Sequence, residues 1–129
     1  MIVDSSAIIA IVLREPGWER VFEGLRAGAN CAIGAPTLAE TGIVLTAKIG
    51  KRAPAILARV LQETGLTVIP FTEDHWRVAV DAYARYGRGR HRAALNFGDC
   101  LTYAVARLAD QPLLFVGDDF SRTDLVSVG

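Results

Sequence analysis

Met1-Ile2-Val3-Asp4-Ser5-Ser6-Ala7-Ile8-Ile9-Ala10-Ile11-Val12-Leu13 opens the chain. Its first three residues form an apolar run too short for a helix, and the run ends on a carboxylate. Ser5 or Ser6 then supplies a hydroxyl able to cap a helix through Leu13, which Arg14-Glu15-Pro16-Gly17 interrupts. A short buried strand giving way at once to a helix is the start of a β/α alternation.

Working outward, the alternation continues. Trp18 to Ala27 predicts a second helix, with Val21, Phe22 and Leu25 on one stripe and Gly28 as its stop. Cys31-Ala32-Ile33-Gly34 reads as a strand. Pro36-Thr37 opens a helix that fades at Gly50, and Ala53 to Glu63 carries Ile56, Leu57, Val60 and Leu61 at helical spacing. Leu66 to Phe71 is a strand, followed by a helix from Glu73 to Tyr86. Gly98-Asp99 opens a helix through Ala109. Leu113 to Val116 and Leu125 to Val128 close the pattern as strands. Strands alternating with helices predict an α/β fold with a parallel sheet covered on both faces.

The totals agree with this. At 129 residues and 51% apolar content, the chain suits one packed domain and excludes wholesale disorder. Fourteen basic residues balance fourteen acidic ones, so no net field announces a nucleic-acid partner. Cys31 and Cys100 stand far apart without zinc spacing, as in a reduced, cytoplasmic protein. The first residues predict no export leader. The Ala7–Leu13 run is far below the roughly 20 residues that span a bilayer, so no membrane association is expected.

The acids fall at telling places. Asp4 ends the first strand; Asp118 and Asp119 follow the Leu113–Val116 strand; Glu40 and Asp99 lie in first turns of helices. Ligands of open α/β sheets collect outside the carboxyl ends of the strands. Acids aimed at one crevice repel one another unless a cation joins them, and Mg²⁺ or Mn²⁺ suits an all-oxygen set. Each residue also has a purely structural reading. Asp4 can cap the first helix, Thr37-Leu38-Ala39-Glu40 fits a capping box, Asp99 suits a helix first turn without any metal, and Gly117-Asp118-Asp119 suits a turn. Their joint placement carries the case for a site.

Val3-Asp4-Ser5-Ser6-Ala7, Leu38-Ala39-Glu40, Asn96-Phe97-Gly98-Asp99-Cys100-Leu101-Thr102-Tyr103-Ala104 and Gly117-Asp118-Asp119-Phe120 occur in that order along essentially the whole chain. Together they resemble the PIN-domain ribonucleases, and among these the VapC-type toxins of bacterial toxin–antitoxin pairs. The resemblance implies a three-layer α/β/α fold over residues 1–129, with a central, mostly parallel sheet of four to five strands. It implies Mg²⁺- or Mn²⁺-dependent endonucleolytic hydrolysis of RNA. Asp4 and Asp99 match the principal metal ligands, and Glu40 a further acid acting through water or on a second ion. Many members carry two acids separated by one residue before a Phe. Here Asp119 matches the second and Gly117 stands where the first would be, leaving Asp118 or Asp119 as the fourth acid. Ser6 matches a small hydroxyl residue beside the first acid, read as bonding a water of the ion, as packing or as capping. The resemblance also implies a homodimer and a VapB-type antitoxin that places a basic side chain among the carboxylates.

Arg85, Arg88, Arg90, His91 and Arg92 crowd into eight residues beside Tyr83, Tyr86 and Phe97. Guanidinium forks pair with phosphates and aromatic planes stack on bases, so Arg88, Arg90 and Arg92 are candidate RNA contacts. A solvated loop with its aromatics turned into the core is the other reading. No protein nucleophile is expected: Ser5, Ser6 and Cys100 have no adjacent histidine, and His75 and His91 lack ligand spacing. The set of acids and the late lysine of a receiver domain are missing, as are the paired aspartates of a haloacid-dehalogenase-type phosphatase and any phosphate-cradling GxxxxGK[ST] loop. A non-catalytic RNA-binding module, or a processing nuclease without an antitoxin, are the alternatives within the same fold.

Overall fold

A computed structural model describes residues 1–128; Gly129, the last residue of the expected domain, lies outside them. Five strands, β1 (Ile2–Val3), β2 (Ala32–Gly34), β3 (Thr67–Ile69), β4 (Leu113–Leu114) and β5 (Ser127–Val128), form one sheet in the order β3-β2-β1-β4-β5. Every pairing is parallel, with Ile2 opposite both Ala32 and Leu113 and Val3 opposite Leu114. Six helices cover it: α1 (Ser5–Leu13), α2 (Trp18–Ala27), α3 (Ala35–Ile49), α4 (Ala53–Thr64), α5 (Glu73–Tyr86) and α6 (Phe97–Ala109).

Two-residue periodicity divides the core. Ile2, Ala32 and Leu113 face a cluster built with Ala82, Tyr86, Tyr103 and Phe120 from the α5–α6 side. Their neighbours Val3, Ile33 and Leu114 face the opposite cluster, with Ile8, Ile11, Leu25, Leu45 and Leu57. Strands buried on both faces need no polar alternation, which is why they read as short continuous apolar runs.

Strand ends and caps differ from the sequence expectations. β3 stops at Ile69 because Pro70 has no N–H to continue the ladder. β4 is two residues rather than four: Val116 leaves the sheet, and its N–H bonds the Ser6 hydroxyl at 2.9 Å. Asp4, not Ser5 or Ser6, caps α1, accepting from the Ser6 N–H. The Thr37–Glu40 capping box does not form, since α3 begins earlier, behind Gly34, with Pro36 in its first turn. Capping boxes are found instead at Thr72–His75 on α5 and Asn96–Asp99 on α6.

The strand order reverses at β1. The crevice between the carboxyl ends of β1 and β4 is therefore the topological switch point, where open α/β sheets place their ligands.

Candidate active site

Asp4 leaves β1 directly into that crevice and is 5% exposed. Its carboxylate is fixed from three directions. Oδ2 accepts the Ser6 N–H at 3.1 Å and the Ser6 hydroxyl at 2.7 Å, and Oδ1 accepts the Thr102 hydroxyl at 2.9 Å. Capping and site placement, alternatives in the sequence, are thus one arrangement: the same oxygen that caps α1 belongs to a side chain held at the strand end.

Asp99 enters from the first turn of α6. The Asn96 side chain accepts the Asp99 N–H at 2.8 Å, and the Asp99 carboxylate accepts the Asn96 N–H at 3.0 Å. This reciprocal pair sets the carboxylate at the helix mouth, 9% exposed. Burial pushes its pKa up to about 7, against the lowering effect of the Asn96 N–H; the charges of Asp119 and Asp4 and a hydrogen bond to Asp119 raise it further. Clustered carboxylates relieve their repulsion by holding either a proton or a cation. The raised proton affinity of Asp99 comes first from burial, and the neighbouring charges add to it.

Of the two candidates for the fourth acid, Asp119 is the one beside Asp99. Gly117 takes a φ of 100°, a left-handed conformation costly for any side chain, at the position where an acid would otherwise precede Asp119 by two residues. The turn sends Asp119 to Asp99 and buries Phe120 in the core. Asp118 and Asp119 are both exposed, and the Asp118 main-chain carbonyl accepts the Ser121 N–H at 3.2 Å and the Ser121 hydroxyl at 2.7 Å.

Glu40, freed from a capping role, lies half-buried on α3 with its carboxylate over Gly98, immediately before Asp99. A Cβ on Gly98 would fall 2.9 Å from the Glu40 carboxyl carbon and 3.0 Å from Oε1. Gly98→Ala is therefore expected to displace Glu40 while helping the helix by up to about 1 kcal/mol. Thermal unfolding should change little and cleavage should fall by roughly tenfold. Unaltered cleavage would mean that the position of Glu40 is immaterial.

Ser6 and Thr102 enlarge the site. Ser6 donates its one hydroxyl proton to Asp4 and accepts from Val116, linking the exits of β1 and β4. Thr102 lay within the Asn96–Ala104 motif, but the motif alone did not single it out. Its spacing of three from Asp99 puts both on one face of α6, which is the signal that would have found it. Cys100, next to Asp99, is buried; burial and the Asp99 charge push its thiol to about 11, which suits a core residue rather than a nucleophile.

The basic segment between α5 and α6 is tied rather than loose. Leu95 N–H bonds Tyr86 O at 2.9 Å, Arg88 N–H bonds Leu95 O at 3.0 Å, and Arg122 reaches Arg92 O at 3.3 Å. His91 stands edge-on to the buried Tyr86 ring at 5.1 Å. Arg88, Arg90 and Arg92 are exposed, with the Arg90 guanidinium 5.6 Å from the Tyr83 centroid. Arg85 separates from this group: it bonds the Tyr86 hydroxyl at 2.9 Å and pairs with Asp124 at 3.7 Å. Of the aromatics beside this segment, Tyr86 is core while Phe97 is 79% exposed.

Among the described residues, no three of the acids, histidines and cysteines approach closely enough to enclose a metal ion by themselves. The donors form an open, all-carboxylate rim. That set fits Mg²⁺, which keeps much of its water and binds through one or two carboxylates together with substrate phosphate, and does not fit a protein cage for Ca²⁺.

Residues 1–126 match the PIN domain family. Ribonuclease VapC36 of Mycobacterium tuberculosis is 52% identical over 126 residues, covering 97% of this chain and 91% of that protein. The crystal structure of Mycobacterium tuberculosis VapC20, a sarcin–ricin loop cleaving toxin, has the same fold, with a TM-score of 0.81 at 22% identity over 98% of this chain and 97% of that one. VapBC2 from Rickettsia felis, solved bound to a DNA fragment from its promoter, gives a TM-score of 0.77 at 15% identity, over 99% and 96% of the two chains. The chain belongs to the PIN-domain family and, within it, to the VapC ribonucleases.

Proposed function

We propose that this chain, as a single PIN domain over residues 1–129, is the toxin of a VapBC-type pair and hydrolyses RNA phosphodiester bonds with a divalent cation, Mg²⁺ or Mn²⁺. The observation that carries the reading is the placement of Asp4 and Asp99 at the switch point with Asp119 beside Asp99, where burial first, and then the charges of Asp119 and Asp4, raise the Asp99 pKa to about 7. Asp4 and Asp99 would hold the cation, with Glu40 and Asp119 acting through its waters or on a second ion. When bound, the cation supplies charge stabilisation at the phosphate and acidifies water. The chain's own part is to hold the carboxylates in place: Asp4 through Ser6 and Thr102, Asp99 through Asn96, and Asp119 through the turn at Gly117. Purified protein with total RNA and Mg²⁺ should yield discrete cleavage products, and excess EDTA should stop their formation. Undiminished cleavage in EDTA would overturn the metal reading.

Arg88, Arg90 and Arg92, exposed on a segment that ends at the Asn96 cap, would bind substrate phosphates. Neutralising all three is expected to weaken RNA binding and reduce the slope of log K against log salt by about 0.7 per lost contact, near the value for single strands. Binding measured on an Asp99→Asn background avoids cleavage during titration. An unchanged slope would assign the segment to solvent.

The partner we infer is a VapB-type antitoxin. An acidic crevice accepts a basic side chain, and the structural relative from Rickettsia felis is a VapBC2 protein. A homodimer is supported by exposed apolar residues on neighbouring helices, including Ile43 on α3 and Phe97 on α6. Among the described residues no helix is long and apolar enough to cross a membrane; a cytoplasmic location accords with the RNA substrate.

A further inference from the structure

Helical threonines ordinarily turn the hydroxyl back onto the carbonyl four residues earlier. Thr41 does so to Thr37 at 2.7 Å, Thr46 to Gly42 at 2.7 Å, and Thr64 to Val60 at 2.6 Å. Thr102 and Thr37 do not. Thr102 spends its proton on Asp4 Oδ1 at 2.9 Å, and its oxygen lies 3.0 Å from the Thr37 hydroxyl. Thr102 is 1% exposed and Thr37 2%. A carboxylate only accepts, and Thr102 has one proton, so the Thr37 hydroxyl must donate to Thr102. The result is a directed chain, Thr37 to Thr102 to Asp4, running from α3 through α6 to the end of β1.

We propose that Thr102, held in turn by Thr37, is the positioning residue that fixes the Asp4 carboxylate for cation binding. The arrangement has a geometric consequence. Ser6 supplies two donors to Oδ2, while Thr102 supplies one to Oδ1. Each carboxylate oxygen offers about two acceptor sites, so Oδ1 keeps one unused. Thr102 thereby selects which oxygen of Asp4 remains available and in which plane. Without that hydroxyl, the carboxylate is held at one oxygen only and turns about its last torsion. The chain also ties Asp4 to α3, which carries Glu40, and to α6, which carries Asp99. The hydroxyl line thus joins Asp4 to the two helices that carry Glu40 and Asp99.

This inference rests on the reading of Asp4 as a cation ligand, and the test separates the two. Thr102→Val keeps the branched shape and removes the hydroxyl. It is expected to weaken Mn²⁺ binding, followed by electron paramagnetic resonance of the free ion, by about tenfold, and to lower kcat by 10- to 100-fold with KM for RNA unchanged. Thr102→Ser restores the hydroxyl and should bring both back to within about threefold. Thr37→Val removes the donor behind Thr102 and should give a smaller loss, about threefold in Mn²⁺ affinity; it carries the test alone if Thr102→Val does not fold. Wild-type Mn²⁺ affinity in folded Thr102→Val, or in Thr37→Val when that variant carries the test, would overturn the proposal. A Thr102→Ser protein as defective as Thr102→Val would also overturn it, because packing of the methyl group would then be the cause. Asp4→Asn is the control for the underlying reading. If it binds Mn²⁺ and cleaves RNA like the wild type, the site assignment fails whatever Thr102 does.

Discussion

Asp99→Asn is expected to lower RNA cleavage by about a thousandfold while leaving the protein folded. Charge stabilisation by a bound cation is worth several kcal/mol in the transition state, and about 1.4 kcal/mol corresponds to a factor of ten. The substitution removes one of the charges that hold the cation. It keeps an oxygen to accept the Asn96 N–H, so the capping box that starts α6 survives. It also removes a charge from a cluster where Asp4 and Asp119 repel it. The metal-free variant should therefore melt no lower than the wild type at neutral pH. Asp4→Asn should be as inactive, and the fold can absorb it for a different reason. The new amide N–H₂ can face Thr102, whose hydroxyl then accepts from it and donates to Thr37, reversing the chain. Single-turnover cleavage and thermal melts on the same samples check both halves. Activity within tenfold of wild type for both variants would end the assignment of these acids to catalysis.

The fold was legible wherever the chain punctuates itself. Trp18–Ala27 and Glu73–Tyr86 appear in the structure with the bounds the sequence predicts, because apolar spacing and terminal glycines mark both. Strand ends were less legible, since pairing depends on neighbours distant in sequence. Phe115 and Val116 are as apolar as Leu113 and Leu114, yet Ser6 draws Val116 out of the ladder. The Thr37–Glu40 pattern had the right letters for a capping box, but Gly34 and Pro36 start α3 a turn earlier. That displacement turns Glu40 toward Gly98 and gives Thr37 to Thr102. Asp4 was readable as a candidate from its position at a strand end and Asp99 from a helix first turn, while their nearness follows from a strand order that a linear pattern does not contain. That Asp119 rather than Asp118 lies beside Asp99 needed the left-handed turn at Gly117, and Thr102 needed a contact across 98 residues.

The second large effect concerns pH. In EDTA, the wild-type protein should lose thermal stability as pH rises from about 4 to about 7, then level off. Asp99 binds its proton with a pKa of about 7 in the folded chain, against about 3.9 when unfolded. Between those values the folded state holds more protons than the unfolded state, so stability falls with rising pH, opposite to a carboxylate held in an ion pair. Asp124 supplies the other limb. Burial raises its pKa, but the Tyr103 hydroxyl at 2.6 Å, Arg107 and Arg85 together outweigh burial and lower it. Its contribution is present above the unfolded value and lost as pH falls through the lower folded one. The metal-free protein should accordingly be most stable near pH 4 to 5. Asp99→Asn should flatten the alkaline limb and leave the acid limb unchanged. Adding Mn²⁺ should raise the melting temperature more at pH 8 than at pH 5, because a ligand that binds only the folded state stabilises it by RT ln(1 + [L]/Kd), and protons compete with the ion for Asp99 at the lower pH. A wild-type melt that is flat from pH 5 to 8 in EDTA, or a slope that persists in Asp99→Asn, would mean that burial and the acids at the switch point do not hold a proton on Asp99. The electrostatic case for a cation among them would then be lost.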